Sequence, residues 1–150
     1  MPLNIEKIAI GDELPEREHT ATNVGLFLYN AAVWNPHRIH YDERFTKEVE
    51  GHPGIVIDGP LQGDWLSQVV LNWLGENGTM SRFGYSNRRA AYLGETLKSG
   101  GRVAAVDITA RTIELELFIK NESGDVITPG NATVLLAASG RQPAYAMLTE

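Results

Sequence analysis

No cysteine occurs anywhere in the chain, which excludes a disulfide framework, a thiolate zinc site and a cysteine nucleophile. Positive charge is scarce: 13 Lys and Arg face 19 Asp and Glu, for a formal net charge of −6. That balance argues against a nucleic-acid partner, which wants a basic face. It leaves room for an anionic small ligand, because a few local Arg or Lys bind phosphate even on an acidic protein. No apolar run approaches the ~18 residues of a membrane span. The opening MPLNIEKIAIGDELPE mixes charges into its apolar residues and has no signal-peptide core. A cytoplasmic protein without a membrane partner is the expectation, and Asn131-Ala132-Thr133 is then an accidental glycosylation sequon. There is no internal repeat, low-complexity tract or dividing linker, so one domain over residues 1–150 is expected.

Apolar residues make up 43% of the 150, a globular composition. Ile5, Ile8 and Ile10 suggest a short opening strand, turned at Gly11-Asp12. Thr20 or Thr22 can cap a helix through about Val33, with Val24, Leu26, Phe27, Ala31 and Ala32 apolar. Asn35-Pro36 stops it, since the residue before proline avoids helical angles. Asp42 can cap a second short helix that ends before Gly51. Pro60 suits the first turn of a third helix. From there Leu61, Trp65, Leu66, Val69, Val70, Trp73 and Leu74 recur with a broad helical period, ended by Gly75 and Gly78. Such a wide apolar surface predicts a helix buried on most sides.

The second half reads as strands. One is expected over residues 81–92, another over 102–109. Residues 112–120 place Ile113, Leu115, Leu117 and Ile119 on one face, with Thr112, Glu114, Glu116 and Lys120 opposite, a half-buried antiparallel strand. Asn121 to Asp125 forms a hairpin loop, and residues 126–138 return, loosened at Pro129-Gly130. A buried helix followed by an antiparallel meander is an α+β arrangement, with the sheet wrapped around the helix.

Chemistry concentrates in the segment from Tyr29 to Asp42. His40 follows Asn35 by five residues across a proline turn that can fold the two side chains together. Histidine suits proton transfer near neutrality, and an amide beside it can orient a water without taking its proton. His37 and His40 lack a third ligand candidate nearby, and no metal is expected. Arg88 and Arg89, read as strand neighbours, would face opposite ways, so at most one of them would meet a ligand.

The stretch WNPHRIHYDERFTKEVEGHPGIVIDGPL resembles the MaoC-like, (R)-specific enoyl-CoA hydratases. It is nearest the branch of mitochondrial 3-hydroxyacyl-thioester dehydratases and 3-methylfumaryl-CoA hydratases, with a weaker likeness to actinobacterial hydratases of steroid side-chain breakdown. That family carries an Asp, a His five residues later, and after about twenty more a Gly opening a buried central helix. The matching positions here are Asn35, His40 and Gly59. Gly94-Glu95-Thr96-Leu97 is similar to a family step before the next strand. Two departures stand out: Asn35 replaces the Asp, and the family's Asn-Pro lies two residues later than Asn35-Pro36. The alignment that keeps His40 also keeps Tyr41-Asp42 and Gly59.

The resemblance implies an α+β hot-dog domain and reversible hydration of an enoyl thioester, with acyl-CoA as substrate and no other cofactor. It implies His40 as the proton-transfer residue, Asn35 as a water-orienting group, the Gly59 N–H as oxyanion donor, and Arg89 or Arg88 on a CoA phosphate. It also implies a homodimer or an even multiple. Two other readings remain open: a thioesterase using Asp58 or Glu50, and a non-catalytic partner in a heteromer with a second hot-dog chain, which Asn35 would suit.

Overall fold

A computed structural model describes residues 3–138. Five strands, β1 (Glu13–Thr20), β2 (Gly78–Tyr85), β3 (Thr96–Asp107), β4 (Thr112–Lys120) and β5 (Val126–Leu136), form one sheet in the order β1-β3-β4-β5-β2. Every neighbouring pair is antiparallel. Helices α1 (Asn23–Ala32) and α2 (Glu43–Glu48) precede the central helix α3 (Gly59–Leu74), which touches all five strands. This is the α+β hot-dog arrangement expected.

The local signals act as their chemistry requires. The Thr22 hydroxyl accepts the Gly25 N–H at 3.0 Å and starts α1. Asp42 accepts the Phe45 N–H at 3.0 Å and starts α2. Leu66, Val69, Val70 and Leu74 of α3 pack in one core with Ile113, Leu115, Leu117 and Ile119 of β4. Each such side chain contributes about 1.5–3 kcal/mol by leaving water. Gly63 lets the sheet approach α3, since a Cβ there would meet the Tyr85 ring at 2.3 Å.

Several expectations fail for physical reasons. Ile5, Ile8 and Ile10 make no strand: Ile5–Lys7 is a short 3-10 turn, capped by the Asn4 side chain. The first strand is β1, whose sequence ELPEREHT buries only Leu14. As an edge strand it needs no alternating apolar face. The strand placed at 81–92 is β2 and stops at Tyr85, leaving Arg88 and Arg89 in a loop. β3 begins at Thr96, ahead of its most apolar stretch. Pro129-Gly130 does not interrupt β5, because Gly130 pairs with both Leu117 and Tyr85. On α1 only Leu26 and Asn30 are buried, so Val24 and Phe27 point outward.

Candidate active site

The α1 helix ends at Ala32, and Trp34 adopts a left-handed φ of 56° as the chain swings back. The Asn35 side-chain oxygen then accepts the His37 N–H at 3.2 Å, and a 3-10 turn over Arg38–His40 follows. Arg38 holds this turn to α2 through Asp42 at 2.7 Å. The segment just before α3 runs alongside: the Val56 N–H donates to Ile39 O at 3.0 Å. On its other side Val56 bridges to Tyr92. His40 and the loop after β2 thus flank one short extended segment.

His40 Nδ1 lies 2.8 Å from Val56 O. A carbonyl only accepts, so Nδ1 carries the hydrogen, and the neutral ring keeps its lone pair on Nε2. That nitrogen stands 3.6 Å from Asp58 Oδ1, longer than a hydrogen bond. Asp58 is fully buried (0% exposed), yet its oxygens are occupied. Asn35 Nδ2 donates to Oδ1 at 3.2 Å and Asn30 Nδ2 to Oδ2 at 2.9 Å. Asn35 and His40 therefore do come together, on the same carboxylate oxygen. The Asn35 amide is engaged at both ends, by Asp58 and by the His37 backbone.

Asp58 occupies the N-cap of α3 but makes no capping bond with its side chain. A capping carboxylate is typically worth about 1 kcal/mol, so turning it toward Asn30 and Asn35 forgoes a local stabilisation. The first N–H groups of α3 are left open at the positive end of its dipole. Gly59 is the first of them, and Pro60 has none to offer. Asn30 is under strain as well. Its NH2 serves Leu26 O and Asp58 Oδ2, and its Oδ1 is a buried acceptor with no partner among the described residues. Such an atom costs about 1–3 kcal/mol.

A cleft of about 250 Å³ opens on this corner, lined by His40, Gly59, Gln62, Asn87, Arg88 and Arg89 among others. Both arginines reach it, which their expected strand geometry would have forbidden. The loop is tied to β5 by the Arg88 N–H on Ile127 O at 2.9 Å. Arg89 is paired with Asp125 at 2.9 Å, whereas Arg88 forms no ion pair among the described residues. A second, apolar pocket of about 200 Å³ lies behind Asn30 and Asn35, walled by Phe27, Ala31, Trp34, Pro36 and Tyr41.

Other candidates fall away from this corner. Glu50 is exposed on the loop after α2 and lines neither space. The His37 and His40 rings are 5.9 Å apart. Among the described residues no three His, Cys, Asp or Glu side chains converge. Tyr29, which donates to Asp64 at 2.9 Å, has its pKa pushed up by burial and then by that carboxylate, so it stays protonated.

Asn30 was invisible in the sequence, an amide at an inward position of an apolar helix. Asp58 stood there only as the carboxylate of a thioesterase; its placement against His40 needs contacts 28 and 23 residues away in sequence.

A family model described as hydroxyacyl-thioester dehydratase type 2 matches residues 6–93. The chain belongs to this family. The matched span holds Asn35, His40, Asp58, Gly59 and both arginines, while β3 to β5 lie beyond it. The chain is 28% identical over 93 residues to the mitochondrial hydroxyacyl-thioester dehydratase type 2 of Saccharomyces cerevisiae, covering 61% of this chain and 32% of that protein. It is 50% identical over 45 residues to mesaconyl-C(4)-CoA hydratase of Chloroflexus aurantiacus, covering 30% of this chain and 16% of that one. The chain thus spans a third or less of these relatives. The solved (R)-hydratase from A. caviae involved in PHA biosynthesis superposes with a TM-score of 0.80 at 16% identity, covering 88% of this chain and 99% of that one. That likeness is one of fold. The family expected from the HRIHYD stretch and the hot-dog architecture are both borne out.

Proposed function

We propose that the protein catalyses reversible addition of water to an enoyl thioester, with an acyl-CoA as substrate and no further cofactor. The observation that carries this reading is the pairing of His40 Nε2 with the buried Asp58 carboxylate at 3.6 Å, at the edge of the cleft that begins at Gly59. In the hydration direction Nε2 accepts a proton from a cleft water as the water oxygen bonds to the β-carbon. The π pair moves toward the α-carbon and the thioester oxygen, where the Gly59 N–H and the α3 dipole meet the developing charge. The imidazolium then returns its proton to the α-carbon. Asp58 steadies the imidazolium between these steps, and Asn30 and Asn35 hold Asp58. Asn35 is thus a positioning residue that acts through Asp58.

Arg88 takes a CoA phosphate in this reading, since Arg89 already has Asp125. The apolar pocket behind Asn35 suits the acyl end. A thioesterase gains no support: Asp58 is sealed under two amides, and Glu50 is remote from the cleft. The assembly is a homodimer or an even multiple, in which exposed Val24, Phe27, Leu28 and Trp34 and the edge strands β1 and β2 offer contact surface. A strictly monomeric mass by light scattering at micromolar protein refutes the dimer.

The activity test is incubation of the purified protein with crotonyl-CoA and longer enoyl-CoAs. Loss of the enoyl chromophore and release of free CoA thiol are followed together. Hydration without thiol release is expected. Thiol release alone identifies a thioesterase, and the absence of both signals refutes the catalytic reading.

A further inference from the structure

Gln62 stands one turn along α3 from Gly59 and is only 2% exposed. Its Oε1 is 2.6 Å from the Thr128 hydroxyl of β5. At this short O–H···O distance the Thr128 hydroxyl donates to Oε1. The NH2 group must point the other way. It has no hydrogen-bond partner among the described residues, and it is not among the side-chain atoms sealed from solvent, where Asn30 Oδ1 stands alone. Gln62 lines the cleft with His40 and Gly59, so the cleft is where its NH2 retains access.

The neighbouring Asn87, on the exposed side, shares that hydroxyl: its Oδ1 lies 3.2 Å away, the longer arm of the one hydrogen that Gln62 takes at 2.6 Å. Its Nδ2 sits against Gly59, so close that a Cβ on Gly59 would come within 2.1 Å of it. The glycine leaves space for an amide NH2 beside the first open N–H of α3. A substrate entering the cleft displaces water from the Gln62 NH2, and a donor then left unpaired costs about 1–3 kcal/mol. An acceptor on the substrate offsets that cost.

We infer that Gln62, seconded by Asn87, is a side-chain donor to the thioester carbonyl oxygen of the substrate. The two act beside the Gly59 N–H, and Thr128 positions both amides. The inference rests on the proposed thioester chemistry for its ligand. It adds that recognition of the carbonyl is distributed over α3, the loop after β2 and β5. The acceptor class is a thioester carbonyl; a thioether at the same place has nothing to receive these hydrogens.

The experiment separates carbonyl recognition from turnover. Calorimetric affinities are measured for butyryl-CoA and for its thioether analogue S-butyl-CoA, on the wild type, Gln62→Met, Asn87→Ala, Thr128→Val and Thr128→Ser. Folding of each is checked by circular dichroism. The wild type is expected to prefer the thioester by about tenfold or more. Gln62→Met brings that ratio to within about twofold of unity and leaves thioether affinity unchanged. Thr128→Val does the same, and Thr128→Ser restores the preference, which a packing defect would not. Should Gln62→Met fail to fold, Asn87→Ala, in an exposed loop, and the Thr128 pair decide.

A wild type that binds the two ligands equally or binds neither, or folded variants that keep the wild-type ratio, overturns the inference. Hydration of crotonyl-CoA is read separately. A preserved carbonyl preference without turnover refutes the catalytic reading and leaves the donor site standing. Turnover with an unaltered ratio in the variants does the reverse.

Discussion

Replacing Asp58 with Asn removes one charge and almost no volume. At 3.6 Å from His40 Nε2, a carboxylate stabilises an imidazolium by roughly 4–5 kcal/mol at an effective dielectric of ~20. Relaxation and the solvent that reaches the cleft side of His40 leave about half of this. A loss of about 2 kcal/mol in the transition state is about 30-fold in kcat.

The same variant has a separate cost in stability. The NH2 groups of Asn30 and Asn35 both donate to Asp58, and an amide there offers an oxygen to one and a clashing NH2 to the other. That mismatch costs about 1–3 kcal/mol, a drop of roughly 2–12 °C in Tm for a chain of this size. The exchange variant Asp58→Asn with Asn35→Asp puts the carboxylate at the other end of one hydrogen bond, with donor and acceptor again matched. It is expected to recover to within about tenfold of wild-type kcat, whereas Asn35→Asp alone sets two carboxylates against each other and loses both stability and rate. The assay is kcat for crotonyl-CoA hydration beside thermal melts of the same preparations. A folded Asp58→Asn protein with kcat within about threefold of wild type refutes the role given to the carboxylate.

His40→Ala is expected to lower kcat by about 100- to 10,000-fold with the fold intact, and Asn35→Ala by less, because the base survives; steady-state kinetics rank the two. Arg88→Ala raises KM for a CoA substrate and leaves kcat nearly unchanged, since phosphate binding is shared by ground and transition states. Arg89→Ala, which breaks only an exposed ion pair with Asp125, leaves both constants close to wild type. Burial first, and then the neighbouring Arg17, hold the His19 pKa below 6.5, while its ring stacks on Trp65 and bonds Ser99 at 2.8 Å. The unfolded chain therefore binds the extra proton first. Stability present above about pH 6.5 is lost as pH falls toward the lowered folded value. Melts between pH 7.5 and 5 are expected to show that decline, and His19→Gln to flatten it.

The alternation of Ile113, Leu115, Leu117 and Ile119 declared β4 residue by residue, because a strand's two faces are set by a period of two within the strand itself. The caps Thr22 and Asp42, and the apolar breadth of α3, were equally legible, since each depends on neighbours within a turn or two. His40 and Gly59 were placed by the spacing of a family stretch, and both line the cleft. What lay outside local reach was decided by tertiary contact. β1 is a polar edge strand that exists because β3 pairs with it. Arg88 and Arg89 share one cleft because the chain leaves the sheet at Tyr85 and is held along β5. Asp58 stands at the N-cap position of α3 without capping it: only because α1 carries Asn30, and the following turn carries Asn35, up against it does the carboxylate turn from the helix to the imidazole. Buried charge goes where donors await it, and those donors are supplied by distant parts of the chain.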